Sequence, residues 1–195
     1  MRAALALACR GLGRVAPNPA VGCLIVRDGR VVGRGWTQPG GRPHAETEAL
    51  ARAGAEARRA TAYVTLEPCA HHGATPPCAD ALVAAGIARA VVALEDPDPR
   101  VAGRGLARLR DAGIAVDLGV EGAGAAELNA GFLAHRKQGR PLVTLKIAAS
   151  LDGRIATRGG ASRWITGEAA RAPAHHLRAA HAAVADQNIA AIAKQ

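Results

Sequence analysis

The chain has 195 residues, enough for one domain of ordinary size and part of another. Hydrophobic residues make up 49% and charged residues 21%, which excludes a wholly disordered chain. The net charge of +9 comes mostly from scattered arginines without a Lys/Arg-rich run, so we favour a solvated basic surface over a nucleic-acid site. No segment reaches the roughly 18 apolar residues of a membrane span. We expect a soluble cytoplasmic protein whose four cysteines are metal ligands or buried thiols.

Turn residues and apolar periodicity predict the secondary structure in chain order. An amphipathic first helix leads through a Pro-Asn-Pro turn to two apolar runs around Asp28 and Gly29, which predict a β-hairpin. Helices and short strands then alternate, with helices at residues 44–57, 79–86, 104–112 and 121–137 and strands at 62–66, 90–94 and 114–118. The order predicts an α/β domain with a mixed sheet covered by helices on both faces.

The chain changes character after residue 137. Residues 138–141 (QGRP) read as a linker, and residues 142–156 predict a strand that enters a Gly-containing turn. Little more than 50 residues follow the linker, too few for a second α/β domain. We therefore divide the chain into a domain at 1–137, a linker at 138–141 and an incomplete second segment at 142–195.

Three short motifs contain the residues of a catalytic zinc site: PHAE at 43–46, LEPC at 66–69 and PPC at 76–78. His44, Cys69 and Cys78 provide three ligands, which leaves the fourth tetrahedral position to a water molecule whose pKa the metal lowers. Glu46 lies two residues after His44, about 200° around a helix. We expect Glu46 to act as a general acid and base beside the metal. The glutamate of the His-x-Glu motif has this role in zinc deaminases.

The spacing of the two cysteines departs from the usual deaminase pattern. Eight residues separate Cys69 from Cys78, where Pro-Cys-x-x-Cys is usual. An intervening loop that returns to the metal keeps both thiolates available. The alternative is a pair of ordinary buried cysteines beside an exposed histidine. The combination of three proline-flanked motifs favours zinc.

The sequence resembles the deaminase half of the bifunctional riboflavin-biosynthesis deaminase/reductase family. The resemblance rests on PNPAVGCLIV (17–26), PHAE (43–46), AYVTLEPCAHHG (62–73), TPPC (75–78), DPDPRVAGRG (96–105) and LNAGFL (128–133). It implies a cytidine-deaminase-like three-layer α/β/α sandwich with a mixed sheet. It also implies that residues 142–195 hold only the start of a dihydrofolate-reductase-like reductase, whose complete form in the family uses NADPH.

The resemblance further implies a reaction and a set of contacts. The reaction is hydrolytic loss of the ring amine from 2,5-diamino-6-ribosylamino-4(3H)-pyrimidinone 5′-phosphate, with zinc as cofactor and Glu46 moving the protons. Asn18 matches a substrate contact of the family, although an Asx-type turn explains it equally well. We also expect substrate contacts from Glu67 and from His71, which a loop-capping role explains as well.

One position departs from the family. Where the family carries Lys or Arg for the substrate phosphate, this chain has Ala74, and Arg42 is our candidate replacement. A nucleoside or nucleobase deaminase, a deaminase relic without turnover and a zinc-stabilised nucleic-acid-binding module remain alternatives. The sequence also leaves open whether copies of the chain associate into a homo-oligomer.

Overall fold

A computed structural model describes residues 1–72, 76–99 and 101–183 of the chain. The chain divides into two compact units, Met1–Leu142 and Val143–Gln195. The first unit contains all of the motifs that predict a zinc site, and the second begins at Val143, two residues after the end of the predicted linker.

The first unit alternates helices with five strands. Its helices are α1 (Arg2–Ala8), α2 (Ala45–Ala53), α3 (Cys78–Ala84), α4 (Arg104–Asp111), α5 (Gly122–Leu128) and α6 (Ala130–Gln138). Its strands are β1 (Gly22–Arg27), β2 (Arg30–Trp36), β3 (Thr61–Val64), β4 (Arg89–Val92) and β5 (Ala115–Leu118). Each predicted strand is present within two residues of its expected ends, and the helix predicted at 44–57 continues beyond α2 as a 3₁₀ turn at Gly54–Ala57.

The five strands form one mixed sheet in the order β2-β1-β3-β4-β5. Strand β1 pairs antiparallel with both β2 and β3, and β3, β4 and β5 run parallel. The β1–β2 hairpin turns at Asp28 and Gly29, both with positive φ, as the Asp-Gly turn predicts. Parallel neighbours need crossover helices, and α3 and α4 supply them. The mixed sheet is therefore the predicted one.

One face of the sheet packs against helices α2, α3 and α4, and this packing brings α2 unusually close to β2. A Cβ atom added at Gly35 would lie 2.0 Å from the Ala45 carbonyl oxygen, and one at Gly33 would lie 2.2 Å from that of Ala49. Only glycine fits a strand at this separation. The glycines of β2 therefore set the position of α2, whose first turn carries His44 and Glu46.

The other face of the sheet is covered by α1, which itself contacts α5. A Cβ atom at Gly22 would lie 1.9 Å from the Ala4 carbonyl oxygen, so α1 also approaches the sheet through a glycine. Helices thus cover both faces, and the first unit is a cytidine-deaminase-like α/β/α sandwich. In the part of the chain that the structure describes, no helix is both long and apolar enough to cross a membrane.

The single helix predicted at 121–137 is wrong, because the helix breaks at Asn129 into α5 and α6. Asn129 is 4% exposed, and its side chain forms hydrogen bonds with both the N–H and the carbonyl group of Ala20. Its Oδ1 accepts from the Ala20 N–H at 2.9 Å, and its Nδ2 donates to the Ala20 carbonyl at 2.9 Å. These two long-range bonds replace the helical continuity that the local pattern predicts.

The described part of the second unit, up to residue 183, contains one helix, α7 (Glu168–Ala179). The Gly-containing turn is present, since the Gly153 N–H donates to the Ser150 carbonyl at 2.9 Å. The strand predicted within 142–156 is not formed, and Val143, Leu145 and Ile147 expose 82%, 74% and 52% of their surfaces. A strand needs a hydrogen-bonded neighbour, and this segment pairs with none among the described residues.

Candidate metal centre and its cavity

The first turn of helix α2 positions His44 and Glu46. His44 is the N-cap residue, with extended backbone, and the helix begins at Ala45. Glu46 points into the protein and is only 4% exposed, whereas Glu48 lies on the outer side and pairs with Arg52 at 2.8 Å. The short helix therefore separates its two carboxylates into one that faces the site and one that faces solvent.

The two cysteines reach the site from different elements. Cys69 follows β3 in an irregular segment, and Cys78 begins helix α3 after Pro77. The Cys78 N–H donates to Cys69 Sγ at 3.2 Å, and the Ala79 N–H donates to the Cys69 carbonyl at 3.1 Å. The loop between the cysteines thus returns to its starting point.

His44, Cys69 and Cys78 meet as a three-residue cluster, with their ligand atoms all within 4.8 Å of one another. His44 Nδ1 lies 3.3 Å from Cys78 Sγ and 3.8 Å from Cys69 Sγ. Tetrahedral zinc, with Zn–S bonds of about 2.3 Å and Zn–N bonds of about 2.0 Å, brings its ligand atoms to roughly 3.5 to 3.8 Å from one another. One imidazole and two thiolates at these separations fit a zinc ion.

The polar groups of the cluster perturb one another's pKa values. Hydrogen bonds with Cys78 and then His44 lower the pKa of the Cys69 thiol to about 4. The bond to Cys69 raises the pKa of the Cys78 thiol and that of the His44 imidazole. Burial, followed by the charge of Cys69, raises the pKa of Glu46 to about 7. These shifts all follow from the close packing of an imidazole, two thiols and a carboxyl group in one largely buried site.

A small cavity of about 50 Å³ lies directly against this cluster. It is lined by Asn18, Pro19, Val21, Thr37, His44, Glu46, Leu66, Glu67 and Cys69. The accessible walls are largely apolar, and two members of the cluster, His44 and Cys69, line the cavity together with Glu46. This is the usual composition of a site for a small ligand.

The structure places the expected substrate contacts unequally. Asn18 lines the cavity, and its Nδ2 donates to the Gly41 carbonyl at 2.8 Å, so its amide is held in one orientation. Arg42 is exposed two residues before His44, and its charge acts to lower the pKa of that imidazole. His71 is half-buried outside the set of lining residues, and its Nδ1 has no hydrogen-bond partner among the described residues. Ala74 lies outside the described residues.

Glu67 has a different use from the expected one. Its carboxylate accepts four backbone hydrogen bonds: Oε1 from Gly105 (2.8 Å) and Leu106 (3.2 Å), and Oε2 from Gly103 (3.0 Å) and Asp96 (3.2 Å). An ionised carboxylate has about four acceptor positions, so none is left over for a ligand. The acceptor positions of Glu67 are thus occupied by backbone donors, although the residue lines the cavity, and its direct contact with a substrate stays a prediction.

Sequence reasoning missed two residues that shape the cavity. Thr37 is 2% exposed, lines the cavity and accepts the Val21 N–H at 3.0 Å through Oγ1. Asn129 holds Ala20, which follows the cavity-lining Asn18 and Pro19. The signal for Asn129 was an asparagine inside a helical pattern, where its side chain competes with the helix backbone. Thr37 gave no such signal.

Comparisons with known proteins agree with this geometry. Residues 1–94 match the family model described as the cytidine and deoxycytidylate deaminase zinc-binding region, and residues 141–185 match the RibD C-terminal domain. The riboflavin biosynthesis protein RibD of Escherichia coli is 56% identical over 179 residues, covering 92% of this chain and 49% of that protein. The chain is therefore similar to RibD proteins over about nine tenths of its own length. It spans about half the length of the curated relatives it matches.

Solved structures of RibD proteins superpose closely on this chain. RibD of Acinetobacter baumannii matches with a TM-score of 0.84 and 54% identity, covering 91% of this chain and 50% of that one. A deaminase/reductase of Thermotoga maritima matches with a TM-score of 0.87 and 43% identity over 91% of this chain and 51% of that one. A more distant match is the Rib2 deaminase of Aspergillus oryzae in complex with DARIPP, with a TM-score of 0.50 and 25% identity over 60% and 80% of the two chains.

Proposed function

We propose that this chain is a zinc-dependent hydrolytic deaminase of riboflavin biosynthesis that acts on 2,5-diamino-6-ribosylamino-4(3H)-pyrimidinone 5′-phosphate. The observation that carries the proposal is the meeting of His44, Cys69 and Cys78 beside the buried carboxyl group of Glu46 in one cavity. Three ligands leave one tetrahedral position for chemistry, whereas a closed structural zinc site has four protein ligands.

Different residues of the site bind the metal, transfer protons and orient the substrate. When bound by His44, Cys69 and Cys78, zinc would provide Lewis acidity and lower the pKa of water. Glu46 lines the same cavity and is the acid/base group of the pair His-x-Glu. It takes one proton of the attacking water and delivers it to the ring nitrogen. It then moves the remaining hydroxyl proton to the amine, so that the C–N bond breaks, ammonia leaves and the ring carbon becomes a carbonyl. Asn18, with its amide held by Gly41, orients the ring.

The cavity wall favours a small free substrate over a flipped nucleic-acid base. Proteins that bind single-stranded nucleic acid commonly stack its bases on aromatic side chains. Among the described residues, the cavity lining contains no Phe, Tyr or Trp. The names of the relatives support the same choice, since RibD proteins are described as riboflavin-biosynthesis proteins and the Rib2 deaminase is described in complex with DARIPP.

We also propose a cytoplasmic location. All four cysteines are free thiols, and two of them form the metal cluster. A reducing compartment keeps such ligands from forming disulfides. We assign NADPH only to the family's complete reductase domain, which the second unit matches over residues 141–185.

The test of the proposal compares two glutamates on helix α2. Glu46→Gln removes the proton-transfer group and keeps the side-chain size, so we expect a fall in kcat of about 10² to 10⁴ with zinc content unchanged. Glu48→Gln is the matched control, because Glu48 faces outward towards Arg52, and it should retain parental activity. The measurement is ammonia release from the diaminopyrimidine nucleotide, with cytidine as the comparison substrate. Faster release from cytidine, or activity of Glu46→Gln within tenfold of the parent, would contradict the proposal.

A further inference from the structure

The two thiolate ligands pose a geometric problem that a Cys-x-x-Cys motif does not have. In that shorter motif one local turn places both sulfur atoms, whereas here eight residues lie between Cys69 and Cys78. A loop of this length does not by itself hold its ends in one arrangement, because closing it costs conformational entropy. The bonds from the Cys78 and Ala79 N–H groups to Cys69 join the two segments locally, and a neighbouring element that contacts both segments would add to this support.

Helix α4 contacts the segment of Cys69 through Glu67. The N-cap residue of α4 is Gly103, which has no side chain to bind the first N–H groups of the helix. Glu67 supplies the missing cap from 36 residues earlier in the chain, by accepting the N–H groups of Gly103, Gly105 and Leu106. The buried carboxylate is also favourably placed at the positive end of the helix dipole.

The contact between α4 and the Cys69 segment is too close for any side chain at Gly105. A Cβ atom there would lie 2.0 Å from the carbonyl oxygen of Pro68, the residue before Cys69. The first turn of α4 therefore lies directly against the backbone that presents the first sulfur. A shift of this turn would shift Cys69 with it.

The same helix contacts the segment of Cys78. Asp80 lies in the first turn of α3, two residues after Cys78, and forms an ion pair with Arg108 of α4. Helices α3 and α4 also pack against each other over their length. Helix α4 thus touches both ligand segments, one at its N-terminus and the other along its side.

We propose that Glu67 is a positioning residue for the metal centre: its carboxylate docks helix α4 as a brace that holds the Cys69 and Cys78 segments at the separation zinc requires. The inference rests on the proposed zinc site, and it goes beyond it by giving Glu67 a role without contact to substrate or metal. Residues that orient metal ligands in this way typically contribute 10- to 100-fold to metal affinity.

The experiment compares zinc affinity in two variants of the full chain by competition with a chromophoric chelator. Glu67→Gln keeps the side-chain size but replaces an acceptor oxygen by an NH₂ group that faces backbone N–H donors. We expect about 10- to 100-fold weaker zinc binding and a changed visible spectrum of the Co²⁺-substituted protein. Leu109→Ala is the control, because Leu109 is buried in α4 but takes no part in the four hydrogen bonds of the Glu67 carboxylate. It should lower thermal stability and leave zinc affinity within about threefold.

Two results would overturn the brace. One is a Glu67→Gln protein that binds zinc as tightly as the parent and keeps its cobalt spectrum. The other is a loss of zinc affinity in Leu109→Ala as large as that in Glu67→Gln, which would reduce the role of Glu67 to general stability. If Glu67→Gln does not fold, the exposed substitution Arg108→Gln tests the ion pair between α4 and Asp80, which lies two residues after Cys78. Zinc binding that is at least about threefold weaker supports the proposed brace, and parental affinity contradicts it. A parental chain that binds no zinc would instead refute the proposed function.

Discussion

Gly35 offers a direct test of how the sheet positions the catalytic helix. The substitution Gly35→Ala would place a methyl carbon 2.0 Å from the carbonyl oxygen of Ala45, the residue between the proposed zinc ligand His44 and Glu46. An ordinary contact needs about 3.4 Å, so the start of helix α2 must retreat by about 1.4 Å. Overpacking of this kind typically costs about 1 to 3 kcal/mol of stability.

The expected effect on activity is larger than the effect on stability. A misplacement of about 1 Å can reduce the rate of an enzyme about 10²-fold. We therefore expect Gly35→Ala to fold, to melt at a lower temperature and to lose about 10²-fold in kcat/KM for deamination. Zinc affinity should also fall, because His44 moves with the helix.

Gly131→Ala is the matched control, since it adds the same methyl group in α6, where the nearest atom would be 3.9 Å away. Alanine in a helix is favoured over glycine by about 0.5 to 1 kcal/mol, so this variant should be as stable as the parent or slightly more stable. The assays are thermal unfolding, chelator competition and ammonia release. If Gly35→Ala equals Gly131→Ala in all three, the close approach of α2 and β2 does not position the site.

Three further predictions test other parts of the site. Cys69→Ser and Cys78→Ser should each lose most of the bound zinc in a metal assay. Cys9→Ser changes an exposed thiol and should retain about one zinc per chain. Zinc retained in both ligand variants would refute the proposed zinc site. Asn129→Leu should lower the free energy of unfolding in urea by about 1 to 3 kcal/mol for each backbone group of Ala20 left unbonded. A total loss below about 1 kcal/mol would count against the role of these two bonds. Arg42→Ala should raise KM for the phosphorylated substrate about 10- to 100-fold and leave KM for its dephosphorylated analogue unchanged. The control is Arg30→Ala, at another exposed arginine. A rise in KM for both substrates would mean that Arg42 does not bind the phosphate.

The sequence alone determined the local elements and the chemistry of the metal cluster. Strands were readable because apolar runs bounded by turn residues are short-range signals, and the Asp28-Gly29 turn is one of the strongest of them. His44, Cys69 and Cys78 were readable because a metal restricts its ligands to few residue types, and the flanking prolines marked where each segment begins. The motif also separated Glu46 from the ligands.

Only the tertiary structure decided how the remaining polar residues are used. Glu67 and Asn129 look like a substrate contact and a helix interior in the sequence, yet their partners lie 29 to 39 and 109 residues away. Hydrogen bonds over such separations depend on how the elements pack and not on local propensity. The same is true of Gly35, because the need for glycine there comes from a helix that begins ten residues later. A Cβ atom at Gly35 would lie 2.0 Å from the carbonyl oxygen of Ala45 in that helix. Short-range patterns specify elements and ligand types, whereas packing specifies which buried polar groups bind backbone and which remain available for chemistry.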